Sequence, residues 1–330
     1  MTRLVAITGA SGFVGSHVAE AFVEAGWRCR LLMRLGSPPP PVTAETVAGG
    51  LGEPGALEHL LAGADAIVHA AGLTASKDPA GFERVNVAGT AAVIHAWQKV
   101  APKARFTLIS SMAAREPGIS PYAASKRRAE EVLYERPGHW CILRPSAVYG
   151  PRDAATLALF RMANAPFQPV VGPEDARVCL VHAEDLAQAI RTVTEHAPAR
   201  ALWEISDARL VGYAWRDMAE QLAQTMGRSP RPVALPPWLV DALGTVAEAA
   251  PIARRIIGPL TADKIRELRH TDWSSCAAAQ PPAVIWTPRL SLADGFERTV
   301  RVLESSRLLR RRRMPIRPQT RSSGATRKAS

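Results

Sequence analysis

The sequence predicts an α/β protein in which a doubly wound parallel sheet is followed by a smaller, mainly helical C-terminal part. Short apolar runs of strand length alternate with amphipathic segments of helical period over the first 150 residues. Strands and helices that alternate in this way form parallel sheets with right-handed crossovers. The chain has 330 residues, 47% of them apolar, which is enough for one large domain of this kind or for such a domain with a smaller one appended.

The turn after the first strand predicts a site for a phosphate group. Residues 4–7 resemble a buried strand, and Gly9, Gly12 and Gly15 follow with the spacing G-x-x-G-x-x-G, with a helix starting at Phe13. Glycine at positions 9 and 12 permits a tight turn and close approach of a phosphate to the helix N-terminus, and Gly15 lets helix and strand pack closely. In this context the pattern predicts dinucleotide binding. The predicted cofactor-binding residues of this turn are Gly9, Ser11, Gly12, Phe13, Val14 and Gly15.

Five more strands are predicted before residue 150, with helices between them. The predicted strands are residues 29–33, 46–48, 65–72 (running into a turn), 105–110 and 140–144, and the predicted helices lie around 57–61, 79–100 and 121–135. We therefore assign residues 1–150 to a dinucleotide-binding core of the Rossmann type.

After residue 150 the alternation is less regular. Helices are predicted at 156–163, 183–195, 213–226 and 291–303, strands at 178–181 and 202–205, and more helix between a proline-rich break at 229–237 and about residue 268. We assign residues 151–304 to a substrate-binding part interleaved with the last Rossmann elements. Residues 305–330 have no apolar period and are predicted to form a disordered basic tail.

The basic charge of the chain belongs to this tail. Residues 305–330 hold nine Lys or Arg residues and no acid, so the preceding residues carry only +2 of the net charge of +11. A solvated run of arginines predicts no specific nucleic-acid partner. The four cysteines, Cys29, Cys141, Cys179 and Cys276, lack metal or redox spacing and are predicted to be reduced, buried thiols.

No segment predicts a transmembrane helix, and the protein is expected to be cytoplasmic. The chain opens directly on its first strand, without the pattern of a signal peptide. Its longest apolar region, residues 233–260, is interrupted by charged side chains and should not span a bilayer. Weak contact of this region with a membrane surface remains open.

Tyr122 and Lys126 begin the predicted helix at 121–135 with the pattern Y-x-x-x-K. This spacing places both side chains on one face, one helical turn apart. An ammonium beside a phenol favours the phenolate and moves its pKa toward neutrality, so that the tyrosine can exchange a proton with a secondary alcohol or a ketone. Ser110 and Ser111 end the preceding strand, where a hydroxyl can bind the same substrate oxygen.

Together these motifs resemble the extended short-chain dehydrogenase/reductase family, which includes nucleotide-sugar epimerases, 3β-hydroxysteroid dehydrogenases and dihydroflavonol reductases. The resemblance covers about residues 3–305. Its motifs are TGASGFVG at 8–15, HAAG at 69–72, ERVNVAGT at 83–90, LISS at 108–111, YAASK at 122–126, RPSAVYGP at 144–151 and LVHAEDLA at 180–187.

The resemblance implies four catalytic residues. Ser111 would polarise the substrate oxygen, and Tyr122 would be the acid/base. Lys126 would lower the pKa of Tyr122 and hold the nicotinamide ribose, and Asn86 would support the network behind them. His182 and Asp185, in the last motif, match a stretch whose role in the family is mostly structural.

The resemblance also extends the predicted cofactor site. Tyr122 and Lys126 would contact the cofactor as well as the substrate, Ala70, Ala71 and Gly72 would line it, and Pro145 would contact the nicotinamide amide. A homodimer packed through the helices at 79–100 and 121–135 is expected from the resemblance alone.

The end of the second strand departs from the pattern for NAD. A carboxylate about twenty residues past the glycine motif would bind the ribose hydroxyls of NAD. Here Met33 and Arg34 stand at that place, with Ser37 nearby. A positive charge suits a 2′-phosphate, so NADP(H) is favoured over NAD(H). The alternative is an arginine stacked on the adenine, which would not discriminate between the two cofactors.

The leading hypothesis is an NAD(P)-dependent oxidoreductase that interconverts a secondary alcohol and a ketone on a small, mostly apolar substrate, such as a steroid or a flavonoid. Met112-Ala113 replaces the Asp-Glu pair of the sugar dehydratases, which argues against dehydration.

The alternative is a nucleotide-sugar epimerase with tightly bound NAD, in which Arg177 could hold a substrate phosphate. A non-catalytic cofactor sensor is less consistent with an intact Ser111, Tyr122 and Lys126. The apolar positions that favour the leading hypothesis, although they could simply pack the C-terminal part, are Leu235, Trp238, Leu239, Leu243, Ile252, Ile256 and Ile257.

Overall fold

The computed structural model describes residues 2–76, 78–165, 167–170, 172–229, 231–236, 238–240, 242 and 262–310. Several sequence-based predictions lie outside these residues. They are the helix and possible membrane contact over most of 243–261, the apolar positions Leu243, Ile252, Ile256 and Ile257, and the predicted tail beyond residue 310. Within the described start of that tail, Leu309 is buried, so residues 305–310 do not fit the prediction of disorder.

The strands confirm the predicted α/β class. The first six are β1 (Leu4–Thr8), β2 (Arg28–Met33), β3 (Glu45–Ala48), β4 (Ala66–His69), β5 (Arg105–Ile109) and β6 (Trp140–Pro145). The later ones are β7 (Ala147–Tyr149), β8 (Gln168–Val170), β9 (Arg177–Val178), β10 (Leu180–His182), β11 (Ala201–Ile205), β12 (Pro232–Ala234) and β13 (Asp272–Trp273).

Seven of these strands form one parallel sheet in the order β11-β6-β5-β4-β1-β2-β3. The order runs outward in both directions from β1 and β4, so the crevice at the carboxyl ends of these two strands is the topological switch point of the sheet. Thr8 at the end of β1 pairs with His69 at the end of β4. Both residues therefore lie at the edge of the sheet where a doubly wound fold binds its ligand.

The helices follow the predicted positions closely. They are α1 (Phe13–Glu24), α2 (Pro54–Leu61), α3 (Pro79–Phe82), α4 (Gly89–Val100), α5 (Pro121–Tyr134), α6 (Ala154–Met162), α7 (Ala183–His196), α8 (Trp215–Thr225), α9 (Ala262–Arg269) and α10 (Leu292–Ser305). The prediction of one continuous helix at 79–100 was wrong in one respect, because a π-helical turn, Glu83–Ala88, lies between α3 and α4. Such a turn holds an extra residue, and it contains Asn86.

Residues of β1 divide the core between two faces of the sheet. Val5 and Ile7 pack in the cluster that α1 and α7 cover, whereas Ala6 packs in the cluster beneath α2 and α4. This alternation is the two-residue period of a strand that is buried on both sides. A third apolar cluster joins β7, α6, α8 and α10 in the C-terminal part.

Cys29, Cys141 and Cys179 are buried free thiols, as predicted, but Cys276 is exposed. Cys276 precedes a short turn, Ala277–Ala279, that has no buried residue, which explains the difference. Within the described residues, no group of three or more metal-binding side chains is present. None of the described helices is long and apolar enough to cross a membrane.

Candidate active site

The glycine turn after β1 has no room for side chains. Gly9 has a φ of +78°, and a Cβ there would lie 2.6 Å from the Ala71 nitrogen and 2.7 Å from the Ala70 carbonyl carbon. A Cβ at Gly15 would collide with the Gly9 carbonyl oxygen. The turn is closed by a hydrogen bond from the Gly12 N–H to the Gly9 carbonyl oxygen, at 2.9 Å. This fits the predicted role, because the backbone itself forms the surface that a pyrophosphate would approach.

The cap of α1 leads to the same conclusion. Gly12 precedes the helix and makes no side-chain capping hydrogen bond, and the first turn of α1 holds no acidic residue. The first backbone N–H groups of a helix need an external acceptor when no side chain supplies one. An anion at this end would also be stabilised by the helix dipole. The N–H groups of Phe13 and Val14 are therefore suited to a phosphate, with Ser11 beside them.

A chain of hydrogen bonds joins the ends of β1 and β4 to α4. The His69 ring lies between Thr8 Oγ1, 2.6 Å from Nδ1, and Thr90 Oγ1, 2.9 Å from Nε2. Thr90 donates to the Asn86 carbonyl, and Thr8 accepts from the Ala71 N–H. This assigns the proton to Nε2 of His69. Burial lowers the pKa of His69 to about 3, so the ring is neutral and packs in the core rather than exchanging protons.

Asn86 connects the loop after β4 to helix α5. Its Oδ1 accepts from the Leu73 N–H at 2.7 Å, and its Nδ2 donates to the Leu73 carbonyl at 3.0 Å and to Ser125 Oγ at 2.9 Å. Ser125 donates in turn to the Tyr122 carbonyl at 2.8 Å. The Asn86 amide thus fixes the chain beside Gly72 relative to the first turn of α5.

Ser111 and Tyr122 come together at the carboxyl edge of the sheet. Tyr122 lies in the first turn of α5, which Ser120 caps by accepting from the Ala123 N–H. Burial raises the pKa of Tyr122, and a hydrogen bond with the Ser111 side chain lowers it in part. Ser111 also caps the short turn Met112–Arg115 by accepting from the Ala113 N–H. The structure therefore brings two of the predicted residues close to each other.

Lys126 lies one helical turn beyond Tyr122 and is buried. Its Nζ donates to the Ile109 carbonyl at 2.6 Å and lies 3.9 Å from where a Cβ of Gly72 would be. Burial lowers the pKa of Lys126 to about 8, although Glu130 opposes this shift. The ammonium thus stands between the ends of β4 and β5, beside the predicted cofactor residues. Its effect on Tyr122 remains a prediction.

A buried ion pair lies behind the site, and the sequence analysis did not identify it. Both oxygens of Glu130 accept from the Arg144 guanidinium, at 2.8 and 2.6 Å, and Oε1 also accepts from Ser110 Oγ at 2.5 Å. Glu130 follows Lys126 by four residues on the same helix face, and Arg144 directly precedes Pro145. A search for charged residues at helical spacing from Lys126 would have found it. The pair fixes Ser110, next to Ser111, relative to α5 and β6.

The residues predicted to bind the adenosine half of the cofactor lie near one edge of the sheet. Arg34 is exposed directly after β2, and its carbonyl accepts from the Ser37 N–H at 3.0 Å, which closes a tight turn. Gly50 stands where the family often has an acid, and its N–H donates to Glu53 Oε1 at 2.9 Å. Arg34 thus places a positive charge just past the carboxyl end of β2.

His182 and Asp185 of the last motif, and Arg177 just before it, have structural contacts. His182 caps α7, where its Nδ1 accepts from the Glu184 N–H at 3.3 Å, as the sequence analysis expected. Asp185 accepts from the N–H groups of Arg289 and Leu290, both at 2.9 Å. Arg177 donates to two nearby main-chain carbonyls, which favours its interpretation as a surface strand residue over a phosphate ligand.

Two further charged residues near Tyr122 could not be found from the sequence, because no motif contains them. Glu267 on α9 accepts from Ser120 Oγ at 2.6 Å, and Lys264 Nζ lies 2.9 Å from the other Glu267 oxygen. Lys264 lowers the pKa of Tyr122 and Glu267 raises it, both less strongly than burial does.

The glycine cradle at the switch point and the hydroxyl pair beside it define a dinucleotide-dependent enzyme of the oxidoreductase type. The sequence model of the NAD-dependent epimerase/dehydratase family matches residues 5–205. The chain belongs to this family, within the extended short-chain dehydrogenase/reductases, and the predicted resemblance is confirmed.

Similar proteins include both reductases and sugar-nucleotide enzymes. A ceramide reductase of Caulobacter vibrioides is 39% identical over 301 residues, which are 90% of this chain and 93% of that protein. The crystal structure of gox2253 has a TM-score of 0.73 at 22% identity and covers 94% of this chain and 100% of its own. MoeE5 in complex with UDP-glucose and NAD has a TM-score of 0.69 at 19% identity, with 92% and 99% covered. At these identities the two structures show a shared fold.

Gly9→Ala is expected to destabilise the fold and to abolish dinucleotide binding, because the added Cβ would meet the backbone of residues 70–71. Gly26→Ala is the matched control, since Gly26 has a φ of +79° but nothing within 4 Å of a Cβ. Backbone strain alone costs about 1–2 kcal/mol, so Gly26→Ala should lose that much and Gly9→Ala clearly more. Urea unfolding and dinucleotide titration measure both effects. Equal losses in the two variants would contradict the steric argument.

Lys126→Met is expected to change how stability depends on pH. The pKa of Lys126 falls from 10.5 to about 8 on folding. The unfolded chain therefore binds more protons between these values, and the free energy of unfolding rises with pH across that window. The variant should gain stability over the wild type below pH 8, and this gain should shrink toward pH 10.5.

Urea unfolding at several pH values checks this prediction. Lys99→Met, at a largely exposed lysine, is the control and should show no such trend. A gain for Lys126→Met that is constant with pH would contradict the assignment of a depressed pKa to Lys126.

Proposed function

We propose that this protein is a nicotinamide-dependent reductase that converts a ketone into a secondary alcohol on a lipid of the ceramide class. The Ser111–Tyr122 hydroxyl pair beside the switch point of the sheet carries the proposal for the reaction. The 39% identity with a ceramide reductase over 90% of the chain supports the substrate class. A ceramide carries a secondary alcohol, so its keto form is a substrate of the required kind.

The bound cofactor would supply hydride to the carbonyl carbon, and the residues of the chain would act on the carbonyl oxygen. Ser111 and Tyr122 would both donate hydrogen bonds to that oxygen, which stabilises the negative charge that develops on it. Tyr122 would then transfer its proton to form the alcohol. Burial raises the pKa of Tyr122, contrary to the shift toward neutrality that the sequence predicts, so the phenol is protonated and has a proton to give.

Three positioning groups would keep this geometry. Lys126 would hold the ribose of the cofactor, since its Nζ lies beside Gly72 at the crevice. Asn86 would hold the loop after β4 against α5 through Leu73 and Ser125. The Glu130–Arg144 ion pair would fix Ser110, and with it the strand end that carries Ser111.

Exposed apolar side chains support a lipid substrate. Phe167, Val233 and Trp238 are 49%, 45% and 68% exposed. Phe167 directly precedes β8 and Val233 lies in β12, which pairs with β8, so the fold places these two side chains in the same part of the molecule. Trp238 follows β12 by four residues. A lipid is mostly apolar, as the sequence predicts, but it is larger than the steroid or flavonoid expected there. Purified protein with either reduced nicotinamide cofactor should reduce an N-acyl 3-keto long-chain base faster than a keto steroid.

A preference for NADP(H) follows from Arg34. Its guanidinium would pair with the 2′-phosphate, with Ser37 beside it. NAD(H) is the alternative, because the neighbouring structure of MoeE5 contains NAD and the family is NAD-dependent.

Tyr122→Phe is expected to lower kcat by about 10²–10⁴-fold, because the acid that protonates the alkoxide is lost. Cofactor affinity should change little. Tyr134→Phe is the matched control, since its hydroxyl lies on the same helix but bonds to Glu130 at 3.2 Å. Steady-state kinetics with the keto lipid and fluorescence titration of the cofactor measure the two effects. A Tyr122→Phe variant that keeps its kcat would exclude Tyr122 as the proton donor.

Arg34→Asp is expected to reverse cofactor preference by lowering the kcat/KM for NADPH about 10–100-fold, the contribution of hydrogen bonds to a charged phosphate. The kcat/KM for NADH should rise or stay constant. Arg28→Asp, at the other end of β2, is the control and should leave the ratio unchanged. If Arg34→Asp also leaves the ratio unchanged, Arg34 does not read the 2′-phosphate.

A further inference from the structure

Helix α9 is attached to the start of the helix that carries Tyr122. Glu267 Oε1 accepts from Ser120 Oγ at 2.6 Å, and Arg266 Nε donates to the Ile119 carbonyl at 3.0 Å. Ser120 is also the cap of α5, where its Oγ accepts from the Ala123 N–H at 3.0 Å. The C-terminal part of the chain is thereby fixed two residues before Tyr122.

Lys264 extends from the first turn of α9 toward this junction. Its Nζ lies 2.9 Å from Glu267 Oε2, and its side chain is 50% exposed whereas that of Glu267 is 10% exposed. The buried carboxylate holds the ammonium by one oxygen and the cap of α5 by the other. The ammonium is therefore anchored close to the catalytic helix.

Lys264 and Glu267 have opposite electrostatic effects on Tyr122. Lys264 lowers the pKa of Tyr122 and Glu267 raises it, both less strongly than burial and the Ser111 hydrogen bond act on it. Burial lowers the pKa of Lys264, whereas Glu267 and, less strongly, Tyr122 raise it.

We propose that Lys264 is a positioning residue for the reaction, which acts from the C-terminal part of the chain on the Tyr122 hydroxyl. This proposal rests on the proposed role of Tyr122 as the proton donor. When the proton leaves the Tyr122 oxygen and forms the O–H bond of the alcohol, a phenolate remains. Lys264 stabilises that phenolate from α9, while Glu267 fixes the ammonium and limits its effect.

The other groups that face this pair come from several elements. Ser111 reaches Tyr122 from the end of β5, and Lys126 follows it on α5. Asp153, at the start of α6, acts on Lys264 and raises its pKa. Since none of these groups lies on α9, substitutions at Lys264 and Glu267 test the contribution of that helix.

Ionisation of residue 122 can be measured directly, without substrate. The full-length protein would carry 3,5-difluorotyrosine in place of Tyr122, because this phenol is more acidic than tyrosine and ionises in a pH range where the fold is stable. The ¹⁹F chemical shift against pH gives its midpoint in the protein without cofactor. The same titration is run in Lys264→Met, Lys264→Arg and Glu267→Gln backgrounds.

Lys264→Met should raise the midpoint by about one pH unit, as expected for loss of a neighbouring cation. Lys264→Arg should restore it, and Glu267→Gln should lower it, because the amide keeps an acceptor for Ser120 but loses the negative charge. A merely structural role would not move the midpoint in opposite directions. A midpoint in Lys264→Met equal to that of the unsubstituted background would overturn the proposal.

Failure of the proposed function is distinguishable from failure of this inference. If the midpoints shift as described but the wild-type protein reduces no ketone, only the proposed reaction is wrong. If the wild-type protein reduces the ketone and the midpoints do not shift, Lys264 has no part in tuning Tyr122. In the active protein, the pH profile of kcat/KM should show the same order of the Lys264 and Glu267 variants.

Discussion

The structure depends on the close approach of two backbones at the switch point of the sheet. Gly9 and the Ala70–Ala71 peptide leave no space for a Cβ, so β1 and β4 end side by side with only main-chain atoms between them. This contact fixes the amino end of α1, where a phosphate would bind. It also fixes the loop that Asn86 ties to α5. One steric constraint thus sets the distance between the cofactor site and the Tyr122 helix.

Buried polar groups then orient what the glycine turn brings together. The chain through Thr8, His69 and Thr90 is fully paired, which allows a neutral imidazole to lie in the core. Breaking the Glu130–Arg144 pair would be costly, because removal of one partner from a buried ion pair commonly lowers the free energy of unfolding by about 3–5 kcal/mol. The intact pair adds little net stability, because the desolvation of both charges offsets their attraction. Here the pair contacts Ser110, so its consequence is the position of the strand end that carries Ser111.

Local patterns made most of the fold predictable and identified the residues of the candidate site. The glycine spacing, the Y-x-x-x-K pair and the alternation of strands and helices depend on neighbours in the chain, and the elements that they predict are present. The π-turn that contains Asn86 was missed because the sequence of residues 83–88 has no pattern that distinguishes it from an α-helix. Glu267 and Lys264 were missed because they act on distant residues, since Ser120 lies 147 residues before Glu267. Contacts of that kind appear only when the C-terminal part is folded onto the core.

The fate of the hydride tests the central claim most directly. NADPH or NADH deuterated at the transferable C4 position would be incubated with the protein and an N-acyl 3-keto long-chain base. The account predicts one deuterium on the carbinol carbon of the product and one equivalent of released, oxidised cofactor. Tight retention of NAD through purification, with no net oxidation and with inversion of a sugar-nucleotide carbinol, would contradict it and identify an epimerase instead.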